Sequence, residues 1–172
     1  MLFIEKYKGD REAFEQKVRT LAVKLSINPD WLMATMMLES SLNPQAVNRT
    51  TNATGLIQFM PATATALGTS VGQLYAMDGL QQLDYVYTYL KPYAGTMESL
   101  SDVYFAVFFP AAIGKPDDWT LHTSKLSAGI IARQNSGYDL NRDGVLTVGE
   151  VRTAIYKRLG ITETTDGTVK KK

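Results

Sequence analysis

Residues 28–40, NPDWLMATMMLES, constrain the fold more than any other stretch. Asn28 can cap a helix, Pro29 suits the first turn, and Asp30 sets a negative charge at the positive helix end. The helix so opened runs to about Ser40. It carries Trp31, Met33, Met36, Met37 and Leu38, several of which must face a core. The chain therefore has to build that core around it.

Its other punctuation is helical too, with few strand signals. Phe14, Val18, Leu21, Ala22 and Leu25 recur at helical spacing over 10–25. Pro61 opens a short helix to about Leu67, with Gly68 as its stop. Ser70 caps a brief helix to Tyr75. Asp78 caps another, in which Leu80, Leu83, Tyr87 and Leu90 share a face, and Pro92 ends it. Ser99 or Ser101 opens the buried run SDVYFAVFF, which Pro110 stops. Residues 111–123 are expected as loop, 124–133 as helix, and 148–159 as a last helix closed by Gly160. Residues 161–172 are expected as a loose tail. One all-α domain over 1–172 is the economical reading. At 172 residues the chain is long enough for a sizeable core.

Charge and composition remove several functions. The formal net charge of +1 gives no field to recruit nucleic acid or an anionic membrane. The chain has no cysteine, which excludes disulfides and thiol catalysis. His122 is the single histidine, so neither a zinc site nor a nucleophilic triad is supported. No stretch reaches the roughly 18 apolar residues of a membrane helix, and MLFIEKYKGDREAFEQ does not read as a signal peptide.

Glu39 is then conspicuous. It follows a run of large apolar residues, near the C-terminal end of its helix. Apolar surroundings and the negative helix end both disfavour an ionised carboxyl. A carboxyl kept protonated near neutral pH is what a general acid requires. The alternative is a solvated Glu on the polar stripe of a helix. Asp84, Glu98, Asp102, Asp117 and Asp118 read as caps, loop or surface, so no second acid has a claim.

Two blocks bear on that choice. Glu39-Ser40 with Asn43-Pro44-Gln45-Ala46 comes first; Gly55-Leu56-Ile57-Gln58 running into Met60-Pro61-Ala62-Thr63-Ala64 follows. In this order and separation they resemble the soluble-type lytic transglycosylase family. The resemblance implies a lysozyme-like helical domain acting on peptidoglycan glycan strands. It implies Glu39 as the catalytic acid, Gln58 as a substrate-binding amide and Met60 as a wall of the cleft. It also implies that one carboxylate suffices, because the sugar's own C6 hydroxyl is the nucleophile and a 1,6-anhydro product forms. A water in its place would give hydrolysis. The chain departs from the family where Ala-Tyr-Asn-x-Gly is usual: Ala106-Val107-Phe108-Phe109-Pro110 stands there, and Tyr104, one turn earlier, is the candidate hydroxyl. A region where the family often has Ser reads Asn48-Arg49-Thr50-Thr51-Asn52.

Residues 139–150, DLNRDGVLTVGE, match the twelve-residue calcium loop of an EF-hand. Asp139, Asn141, Asp143, the Val145 carbonyl, Thr147 and Glu150 are the expected ligands, and Gly144 takes the sharp turn. The same residues would also make a loop ended by a Thr147–Glu150 capping box. A single loop points to a structural Ca2+ rather than a switch. The fold expectation is thus a lysozyme-like helical domain with a C-terminal EF-hand-like loop and helix. Two functions remain: a wall-cleaving enzyme, expected as a monomer, and a calcium-stabilised wall-binding or virion module with little activity. A wall substrate without an export signal suggests a phage lysin, a virion-borne domain, or a piece of an exported protein.

Overall fold

The computed structural model describes residues 1–164 and 166–172. They gather into two compact units, Met1–Gly95 and Thr96–Lys172.

In the first unit, α1 (Arg11–Leu25) packs on α2 (Pro29–Ser40) and on α5 (Gly79–Leu90), with the short α3 (Pro61–Ala66) and α4 (Val71–Ala76) between. The starts follow from their caps. Asp10, Asn28, Ser70 and Asp78 each accept a backbone N–H at the first turn of α1, α2, α4 and α5. The five apolar residues expected to bury on α1 do so. On α2, Trp31 through Met36 are all buried, so the helix is core on most sides. On α5 the buried face is Gly79, Gln82, Leu83, Val86 and Leu90; Leu80 and Tyr87 lie only half-buried. That corrects the expected face: a polar residue takes a core position that Leu80 and Tyr87 do not.

α2 ends sharply. Ser41 and Leu42 are both left-handed, at φ 55° and 60°, and their N–H groups return to Met37 and Met36 carbonyls. Left-handed backbone without glycine costs about 1–2 kcal/mol per residue, and the buried Leu42 side chain helps to offset it.

In the second unit, α6 (Leu100–Phe108) starts at Ser99, whose Oγ accepts from Asp102 N. Buried Asp102 binds the N–H groups of Glu98 and Gly114. α7 spans Ala128–Gln134, not 124–133, because Thr123 Oγ1 holds Lys125 and Leu126 in a turn first. α8 (Val148–Leu159) ends at Gly160 as expected. The 161–172 tail is not loose. Strand β1 (Ile161–Glu163) pairs antiparallel with β2 (Val169–Lys171), register Ile161 to Lys171, burying Ile161 and Val169. Thr165, within that stretch, lies outside the described residues. The protein is thus mostly helical with one small sheet. No helix among the described residues is long and apolar enough to cross a membrane.

Candidate active site

Glu39 sits in the last turn of α2 and is half-buried. Tyr89 on α5 is near enough that the Glu39 charge affects its phenol. Burial pushes Tyr89 up to about 12, and Tyr93 and then Glu39 add to the rise. The Tyr89 ring meets Phe59 edge-on, with centroids 6.4 Å apart.

Ser40 supports the helix end rather than presenting a free hydroxyl. Only 9% exposed, its Oγ bonds to the carbonyls of Met36 at 3.1 Å and Leu56 at 2.9 Å. The second bond ties the end of the Glu39 helix to the Gly55–Gln58 turn. That turn closes a tight hairpin: Thr54 and Phe59 exchange both backbone hydrogen bonds, at 3.0 and 2.9 Å. Gly55 N donates to Ala46 O at 2.9 Å, so the turn is also fastened to the loop after α2.

Gln58 has a left-handed backbone, φ 52°. Its Nε2 donates to the carbonyls of Ala46 (3.2 Å) and Gly55 (3.1 Å). Two acceptors on one side fix which amide atom is nitrogen. Its Oε1 has no hydrogen-bond partner among the described residues, so the half-buried side chain offers an acceptor. Met60, just before α3, is 46% exposed. The two sequence blocks are therefore brought together in one unit.

A family model for the transglycosylase SLT domain matches residues 17–106, just over half the chain. This chain belongs to that family. SLT-domain proteins are lytic transglycosylases acting on peptidoglycan, so the cell wall is where the family works. No curated protein matches, and no solved structure matches.

Two residues around the candidate site escaped the sequence reading. Gln82 is wholly buried: its Oε1 accepts from Leu56 N (2.9 Å), and its Nε2 donates to Pro44 O (2.6 Å) and Leu74 O (2.7 Å). Periodicity counts a glutamine as solvent-facing, so nothing in the string marked it. Tyr89 carries no motif signal in the string, and only the fold brings it near Glu39.

Of the other acids, Asp102 is buried rather than on the surface, whereas Asp84 and Asp117 hold exposed ion pairs. Asp84 pairs with Lys17 at 2.8 Å and Asp117 with Arg152 at 2.5 Å. In the second unit, Tyr104 is 3% exposed and its hydroxyl meets that of Tyr138 at 2.5 Å. Phe108 stacks on Tyr104, and Arg158 donates to the Tyr138 hydroxyl at 2.9 Å. A cavity of about 910 Å³ in this unit, near Arg152, Tyr156 and Glu163, is lined by none of the candidate substrate or metal residues.

The 139–150 loop folds on itself. Gly144, at φ 85°, donates to Asp139 Oδ2. Asp143 N and Val145 N bond to Asn141 Oδ1 and Asp143 Oδ1. Thr147 and Glu150 make the capping box that opens α8. Among the described residues no three His, Cys, Asp or Glu stand together as a metal cluster. Asp139 Oδ1, however, is buried with no hydrogen-bond partner. The loop is also paired to an earlier segment: Leu121 N donates to Leu146 O (2.7 Å), Val148 N to Trp119 O (3.0 Å) and Gly149 N to Asp117 O (2.9 Å).

Proposed function

We propose that the chain cleaves the β-1,4 bond between N-acetylmuramic acid and N-acetylglucosamine, with Glu39 as acid and then base. Glu39 gives its proton to the glycosidic oxygen as the bond to C1 breaks. The muramic C6 hydroxyl closes on C1, and its proton passes to the Glu39 carboxylate. The group returns to its starting state and a 1,6-anhydro end is released. No second carboxylate is needed, unlike the two-acid arrangement of most glycosidases.

The observation that carries this reading is the Ser40–Leu56 bond, which fastens the Glu39 helix to the turn bearing Gln58. In this reading the Gln58 Oε1 accepts from a sugar hydroxyl or acetamido N–H, and exposed Met60 is an apolar wall. Tyr104 is kept as a proposed substrate contact, one that requires the bond of its buried hydroxyl to Tyr138 to give way. For the 139–150 loop we propose a structural Ca2+ held by Asp139, Asn141, Asp143, the Val145 carbonyl, Thr147 and Glu150. The orphaned Asp139 Oδ1 supports it, since a buried carboxylate oxygen without a donor is satisfied by a cation.

Turbidity clearing of purified cell walls tests the enzyme: Glu39→Gln should abolish it. Equal rates for wild type and variant would remove the Glu39 reading, and little clearing by either would favour the wall-binding module. Mass spectrometry of released muropeptides separates anhydro ends from the reducing ends that hydrolysis gives.

A further inference from the structure

The Leu56 peptide is gripped at both ends. Its carbonyl accepts from Ser40 Oγ, one residue from Glu39, and its N–H donates to Gln82 Oε1. The same Gln82 amide holds Pro44 O, in the loop that leaves α2, and Leu74 O at the far side on α4. Gly55, next to Leu56, comes so close that a Cβ there would lie 2.4 Å from Gln82 Oε1. One side chain on α5 therefore joins the segment after Glu39 to the turn that carries Gln58.

We propose that Gln82 is a positioning residue for this active site: its amide sets where the Gln58 turn stands relative to the Glu39 helix. The inference rests on the reading of Glu39 and Gln58 given above. An amide is the side chain the position demands. It must accept once and donate twice, to acceptors that are themselves backbone carbonyls, inside a core where an unmade bond is costly. A displaced turn moves the bound sugar against the Glu39 proton. Displacements on the order of 1 Å can lower a rate about 100-fold. Gln82 touches no reacting atom, so its effect should appear in turnover and not only in folding.

The experiment compares Glu39→Gln, Gln82→Leu and Gln82→Glu on soluble glycan strands, well below the melting temperature of each. Gln82→Leu removes all three bonds at similar size. It should melt cooperatively yet lose at least about tenfold in kcat, the equivalent of about 1.4 kcal/mol. Gln82→Glu adds a pH signature that a merely structural role would not give. When protonated, the new carboxyl can accept from Leu56 N and donate once; when ionised it donates nothing and faces two carbonyls. Its kcat relative to wild type should therefore rise as pH falls through the titration of that carboxyl. A folded Gln82→Leu within about twofold of wild type, or a Gln82→Glu ratio flat with pH, overturns the proposal. Should Gln82→Leu fail to fold, the pH ratio of Gln82→Glu decides alone. Loss of activity in Glu39→Gln together with full activity in both Gln82 variants sinks only the positioning role. Full activity in Glu39→Gln sinks the assignment beneath it.

Discussion

Replacing Gly55 by alanine tests the packing beneath the site without replacing a polar side chain. At φ 86° the position suits glycine, and the new Cβ would lie 2.4 Å from Oε1 and 2.9 Å from Cδ of Gln82. The end of a flexible side chain could usually swing away. This one cannot, because its amide is buried and held by three hydrogen bonds. Accommodating the methyl group therefore breaks the Leu56–Gln82 bond and leaves buried polar groups unmade, at about 1–3 kcal/mol. The left-handed backbone adds about 1–2 kcal/mol. Their sum, about 2–5 kcal/mol, is a large share of the about 5–15 kcal/mol of a typical domain. For a chain of this length each kcal/mol lowers Tm by about 2–4 °C, so a fall of about 4–20 °C is expected by circular dichroism. A double-mutant cycle isolates the cause. With Gln82→Ala already made, the clash partner is gone and Gly55→Ala should cost only the backbone part. A Tm unchanged by Gly55→Ala, or costs that simply add across the cycle, would refute the reasoning.

The Tyr89 phenol should titrate late, near pH 12, by ultraviolet phenolate absorbance. Its folded pKa lies above the ordinary 10, so its stabilisation is whole below pH 10 and is lost as pH rises through about 12; Glu39→Gln should bring the titration down, and an unaltered curve would contradict the Glu39–Tyr89 proximity. Calcium should raise Tm over a chelator control, by about 2.7 kcal/mol of stabilisation at a hundredfold excess over Kd, and Asp139→Ala should erase the rise. No shift at saturating calcium refutes a bound ion.

What could be read from the string was local. Asn28, Ser70 and Asp78 each cap the helix expected of them, Ser99 rather than Ser101 caps α6, and Thr147 makes the capping box weighed against the calcium loop, because an N-cap is decided within four residues. The pairing of Ile161–Glu163 with Val169–Lys171 was not legible. Two three-residue strands have too little period to register, and Lys170-Lys171-Lys172 looks like solvated tail. Of the site, Glu39, Gln58 and Met60 came from motif order, and the fold brings their blocks together. Gln82 was invisible because its partners are backbone groups 8, 26 and 38 residues away. Tyr104 was chosen for its hydroxyl, which the fold joins to Tyr138, 34 residues on.

The ladder from Leu121 to Gly149 has a spectroscopic consequence. Trp119 lies within it, its carbonyl bound to Val148, its indole beside His122 and beneath the Lys115 ammonium. Any rearrangement of the 139–150 segment is handed directly to that chromophore. Emission from Trp119, isolated in a Trp31→Phe background, would follow the loop without a dye or a tag.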